Sequence, residues 1–114
     1  MDSCIFCKII KGEIPCNKVY EDDKVLVFHD IKPEAPVHVL VIPKEHIESV
    51  NEISNENSEI IAHIFTVIQR VSKDLNISKD GYRIVNNCGE NGLQTVPHLH
   101  FHLFGGKKFS WPPV

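Results

Sequence analysis

The stretch His98-Leu99-His100-Phe101-His102-Leu103-Phe104 sets three histidines in strict alternation with apolar residues. An extended chain points successive side chains to opposite faces. The spacing predicts a strand over residues 98–104, closed by Gly105 and Gly106. His98, His100 and His102 then share one face, and Leu99, Phe101 and Leu103 the other. The apolar face belongs to a core. The histidine face needs another reason, because neighbouring imidazoles cannot all be charged cheaply and a buried neutral imidazole needs a polar partner at each nitrogen. A solvent-facing polar stripe is the simplest alternative. Against it stands His38, inside a second apolar run, Val37-His38-Val39-Leu40-Val41-Ile42. That run is rich in β-branched residues and predicts a central strand over residues 37–42, where a polar side chain is out of place. The four histidines together read as a site.

Outward from these two strands, turn formers divide the chain. Residues 5–10 carry Ile5, Phe6, Ile9 and Ile10 at helical spacing and are stopped by Gly12 and Pro15. Strands are predicted at 19–20, 24–28 and 82–86. A long helix is predicted from Ser54 as N-cap to about Leu75, with one apolar stripe of Ile60, Ile61, Ile64, Phe65, Ile68, Val71 and Leu75. His63 falls on its polar side. The order gives an α+β fold: an antiparallel sheet of about five strands, one long helix and a short N-terminal helix. At 114 residues, 1–114 reads as a single domain. No internal repeat is present.

Composition narrows the function. The formal net charge is −3, which argues against a general nucleic-acid or membrane-surface binder, since both need a basic footprint. No run approaches a membrane span, and the N-terminus, with an acidic Asp2 and with Lys8 and Lys11 breaking its apolar run, does not read as a secretory signal. A cytoplasmic location is the expectation. There, Cys4-x-x-Cys7 suits metal binding or redox chemistry better than a disulfide. Cys16 and Cys88 have no adjacent base and receive no catalytic role.

The His-φ-His-φ-His-φ-φ pattern, with φ apolar, resembles the signature of the histidine triad superfamily. The resemblance extends to IFCKIIKGEIP, FHDI, PVHVLVIPKEHI, GYRIVNN and the terminal GG…WPP, all similar to the Hint branch, and covers nearly the whole chain. It implies a nucleotide-binding hydrolase acting as a purine nucleoside phosphoramidase, which cleaves a P–N bond and releases a nucleoside monophosphate. It implies that His100 is the nucleophile, that His102 binds phosphate oxygens and assists proton transfer to the amine, and that His38 and His98 orient the neighbouring rings. Imidazole suits the role, being nucleophilic at neutral pH and forming a labile adduct. The resemblance places Asn87, Thr95 and the backbone N–H groups of Leu93 and Val96 at the phosphate. It places Phe6, Ile9, Phe28 and Ile31 around the base, and Asp30, with His29 beside it, at the ribose. Without the resemblance, these four apolar residues read as ordinary core and Asp30 as a turn residue. Position 95 is often Ser in Hint proteins and position 93 often Gly. Thr95 keeps the hydroxyl, whereas Leu93 adds a side chain at the rim.

The resemblance also implies a structural zinc held by Cys4, Cys7, His46 and His98, since some relatives carry such a set and the thiol spacing suits it. The alternative is a reduced thiol pair on a short helix. A homodimer is implied, with a continuous sheet across two chains and the tail around Trp111 reaching the partner's active site to help bind substrate. Two other functions compete: a dinucleoside polyphosphate hydrolase or nucleotidylyltransferase of the same superfamily, and a non-catalytic zinc-stabilised nucleotide-binding module. Transfer to another phosphate would be suggested by Gln in place of the third histidine, and position 102 is His.

Overall fold

Apolar runs without a polar face bury on both sides of a sheet, and two such runs form the centre of this chain. The structure is a computed structural model and describes residues 3–114. Asp2, which bears on the secretory reading, lies outside the described residues. In chain order come helix Ile5–Ile10 (α1), strands Lys18–Glu21 (β1), Val25–His29 (β2) and Val37–Pro43 (β3), a 3₁₀ turn Val50–Glu52, helix Ser58–Asp74 (α2), and strands Arg83–Val85 (β4) and Phe101–Gly105 (β5). The five strands form one antiparallel sheet in the order β1-β2-β3-β5-β4. The expected α+β architecture is present.

Alternation along β2 and β3 feeds two separate cores. Val25, Val27, Val39 and Val41, with Leu99, Phe101 and Leu103, pack under Ile64, Val67, Ile68 and Val71 of α2. Leu26, Phe28, Leu40 and Ile42 face the other way and meet Cys4, Phe6 and Cys7 of α1. Each of the buried Val, Leu, Ile and Phe side chains contributes about 1.5–3 kcal/mol of transfer free energy. The sheet is thus the middle layer, with α2 on one side and α1 and the histidines on the other. No helix among the described residues is long and apolar enough to cross a membrane.

Two boundaries and one buried face differ from the sequence expectation, each for a local reason. The final strand begins at Phe101, so His98 and His100 precede the ladder. Its pairing with β3 runs from Val37↔Gly105 to Val41↔Phe101. Beyond this, Pro43 has no N–H to offer, and the Leu99 N–H donates to the Ile47 carbonyl at 2.6 Å. The chain stays extended there, and the alternation of side chains survives: Leu99 enters the α2 core, while His98 and His100 are buried on the opposite face. The long helix begins at Ser58 and not after Ser54. Ser54 Oγ accepts the Glu56 N–H, making a turn of its own, and Asn57 occupies the cap position. The buried stripe of α2 includes Val67, whereas Phe65 is 46% exposed. The Phe65 ring rests edge-on against Phe101, with centroids 5.5 Å apart.

Candidate functional site

β3 and the end of β5 bring His38 and His102 together, because His102 pairs with Leu40, two residues from His38. His38 is 4% exposed. Its Nδ1 accepts the Glu34 N–H at 3.1 Å. The ring proton therefore sits on Nε2, which lies 2.9 Å from His102 Nδ1 and 3.6 Å from Asp30 Oδ2. His102 Nδ1 is then an acceptor, and its own proton is on Nε2. The same reasoning fixes the other two rings. His98 Nε2 lies 2.8 Å from the Pro43 carbonyl and must donate to it, leaving Nδ1 unprotonated. His100 Nδ1 lies 2.7 Å from the His98 carbonyl and must donate, leaving the lone pair on Nε2. Four histidines thus hold four assigned tautomers through backbone groups and one another.

Burial keeps these rings neutral. It is the main cause that pulls His102 down to about 4, helped by the neighbouring His100 and His38. Burial pulls His98 down to about 4 as well, partly offset by its bond to Pro43. His38 and His100 are lowered by the same burial, opposed by the Asp30 carboxylate, with Glu34 also opposing at His38 and the His98 carbonyl at His100. Neutral imidazoles are nucleophiles and metal ligands.

A cleft of about 410 Å³ opens beside them. It is lined by Phe6, Ile9, Phe28, His29, Asp30, Ile31, Thr95, Val96, His100 and His102 of the expected site, together with Ile5, Lys32 and Leu40. Ile31 is 92% exposed and stands at the rim. Asn87, Leu93 and Trp111 are outside this lining. The Leu93 N–H donates to the Glu90 carbonyl at 3.0 Å, and the residue holds a φ of +61°. Trp111 is 82% exposed in the tail.

The lone pair of His98 Nδ1 points to a second group. It lies 3.4 Å from Cys4 Sγ, 3.6 Å from Cys7 Sγ and 3.2 Å from His46 Nδ1, and His46 Nδ1 is 3.3 Å from Cys7 Sγ. These four residues could hold a metal ion. The thiols come from α1, whose N-cap is Cys4: its sulfur accepts the Cys7 N–H at 3.4 Å. Burial and the adjacent Cys4 raise the Cys7 thiol above its ordinary value.

Residues 11–109 match the HIT domain family. The chain belongs to the HIT family. An uncharacterised HIT-like protein of Buchnera aphidicola subsp. Acyrthosiphon pisum is 48% identical over 109 residues, 96% of each chain. A HIT family hydrolase from Clostridium thermocellum superposes with a TM-score of 0.98 at 47% identity, covering 100% of this chain and 99% of that one. A histidine triad protein from Clostridium difficile superposes at 0.92 with 50% identity, covering 96% and 95%.

Asp30, His38 and His102 form a second cluster of metal-ligand types in this HIT chain. Its tautomers make it a hydrogen-bond relay instead. The Glu34 N–H occupies the only unprotonated nitrogen of His38, so His38 Nε2 has no lone pair to give a metal. Besides Ile5, Lys32 and Leu40 in the cleft wall, two supporting residues escaped the sequence reading. Asn86 Nδ2 donates to the His100 carbonyl at 2.8 Å, replacing the ladder bond lost where β5 begins. Gln94 ties its loop down three ways, donating to the Glu48 and Val96 carbonyls and accepting the Gly89 N–H. The only signal for Asn86 was a polar residue ending a strand, and for Gln94 none. His63, expected at the surface, meets Asp22 Oδ2 at 2.7 Å and joins α2 to the β1–β2 turn.

Proposed function

We propose that this HIT chain is a Hint-type nucleoside phosphoramidase: a hydrolase that binds a purine nucleotide, forms a covalent nucleotidyl intermediate on His100 and releases a nucleoside monophosphate. The observation that carries this reading is His100 itself. Its Nδ1 is pinned to a backbone carbonyl, and its unprotonated Nε2 belongs to a ring that lines the cleft. His100 Nε2 attacks the α-phosphorus and the P–N bond breaks. The departing amine takes a proton through His102 Nε2, and the water that attacks next returns one to it while the bond from His100 to phosphorus breaks. His38 keeps His102 in the donating tautomer, and His98 offers the carbonyl that orients His100. Asn87, the Thr95 hydroxyl and the Val96 N–H are donors for the phosphoryl oxygens; the Leu93 N–H is engaged by the Glu90 carbonyl, and its side chain is left at the rim to bear on the leaving group. Phe6, Ile9, Phe28 and Ile31 enclose the base, and Asp30, beside His29, takes the ribose hydroxyls. Names support the reading: relatives are called HIT family hydrolases and histidine triad proteins.

Cys4, Cys7, His46 and His98 fit a structural zinc. Bonds of about 2.3 Å to sulfur and 2.05 Å to nitrogen in a tetrahedron give sulfur–nitrogen edges of about 3.5 Å and nitrogen–nitrogen edges of about 3.3 Å. The observed edges are 3.3–3.6 Å and 3.2 Å. When bound, the ion would cross-link α1 to the His98 segment. It takes no part in the chemistry at phosphorus. The chain 1–114 is read as one HIT domain acting as a homodimer, with Trp111 of each tail extending toward the partner.

Turnover of a panel of adenosine and guanosine 5′-phosphoramidates against dinucleoside polyphosphates tests the reaction. Nucleoside monophosphate from the phosphoramidates supports it. Turnover of the polyphosphates alone moves the chain to the dinucleoside branch, and binding without turnover makes it a nucleotide-binding module.

A further inference from the structure

The metal group and the cleft share one side chain. Phe6 lies between Cys4 and Cys7 on α1 and is 6% exposed. Its ring stands edge-on to His98 with centroids 5.8 Å apart and to His100 at 5.1 Å. It also meets Phe28 at 5.8 Å, and both rings line the cleft. The ring is therefore wedged between one of the four metal donors, the ring with the free nitrogen, and the cleft wall. α1 has six residues. Helices below about 12–15 residues are marginal on their own in water, so α1 takes its orientation from what it is attached to. It is attached through the Phe6 ring, with Ile9 and Ile10 packed beside it, and through the two thiols that face His46 and His98.

We infer that Phe6 couples the two sites, so that zinc at Cys4, Cys7, His46 and His98 and a purine nucleotide in the cleft bind cooperatively. The inference rests on the nucleotide reading above. A base can pack on the cleft wall only while the Phe6 ring is in place. Without the ion, α1 samples other orientations, and nucleotide affinity falls by the fraction of time the wall is absent. Linkage makes the effect reciprocal: the nucleotide raises zinc affinity by the same factor. The ion and the nucleotide need never touch.

Zinc affinity is measured by competition with a chromophoric chelator, with and without saturating AMP. AMP affinity is measured by calorimetry on zinc-loaded and metal-free protein. AMP is expected to raise zinc affinity about fivefold or more, and zinc removal to weaken AMP by the same factor. Ribose 5-phosphate carries the sugar and phosphate but no base, and is expected to leave zinc affinity unchanged; it also controls for zinc chelated by the phosphate in solution. Phe6→Leu is expected to keep zinc while the coupling factor falls toward one. Equal zinc affinity with and without AMP, in protein that binds both, overturns the coupling and leaves the nucleotide reading standing. Zinc-loaded protein that does not bind AMP overturns the nucleotide reading and the coupling with it. An equal gain from ribose 5-phosphate overturns the role of Phe6.

Discussion

At the scale of single residues, the proposed reaction gives unequal work to His100 and His102. In that reaction His100 forms the bond and His102 moves the proton. His100→Ala is expected to lower phosphoramidate turnover by about a thousandfold or more while AMP still binds, because the contacts to base and ribose lie elsewhere. His102→Ala is expected to cost about a hundredfold, and a substrate with a good leaving group should restore more of its rate than of the His100 variant's. An adduct trapped on His98 would overturn these roles. Burial of His102 also predicts acid sensitivity. Its folded value is about 4 against an ordinary 6.5. As pH falls the unfolded chain takes up this proton first, so the stability is fully present above about 6.5 and is lost progressively toward 4. The urea midpoint should fall across that window, and His102→Gln should flatten the fall.

At the scale of elements, the segment from His98 to His100 depends on a few bonds made outside any ladder. Asn86, just past the end of β4, holds the His100 carbonyl. Asn86→Ala is expected to cost about 1–3 kcal/mol in stability for the unpaired carbonyl. It should lower kcat more than it weakens AMP, read from steady-state kinetics beside calorimetry. α1 depends on its thiols: protein purified without added zinc should carry about one zinc per chain, and the Cys4→Ser, Cys7→Ser double variant none, by metal analysis. Elements of this kind were legible where pattern decides them. The histidine alternation, the two apolar runs and the short N-terminal helix are written in single residues of strong preference. The start of β5 was not, because it depends on where a partner strand ends at Pro43. The start of α2 was not, because Ser54 and Asn57 are both good cap residues, and Asn57 also fixes the turn by donating to the Glu52 carbonyl and accepting the Ser54 N–H. The convergence of Cys4 and Cys7 with His46 and His98, distant in the chain, came from resemblance and not from any local pattern.

At the scale of the whole molecule, β4 is an edge strand and Phe65 on α2 is 46% exposed. An uncovered edge invites pairing, and a second copy would cover it. Sedimentation at micromolar concentration is expected to give a dimer, and a monomer there would remove the homodimer from the reading. The two-sided sheet carries one more consequence. In most sheets polarity tells a strand which way to face, and a slip of one residue is punished by greasy side chains in water. Here both faces of β2 and β3 are greasy, so that warning is missing. The distinction is one of size: valines 25, 27, 39 and 41 turn to the long helix, while Leu26, Phe28, Leu40 and Ile42 turn to the other side. The lone polar mark in the middle of this arrangement is His38. A misthreaded β3 would drive its imidazole, with its Glu34 and His102 partners lost, into the hydrocarbon beneath α2. The ring that tunes the relay is thus also the peg that tells the central strand where to stop sliding.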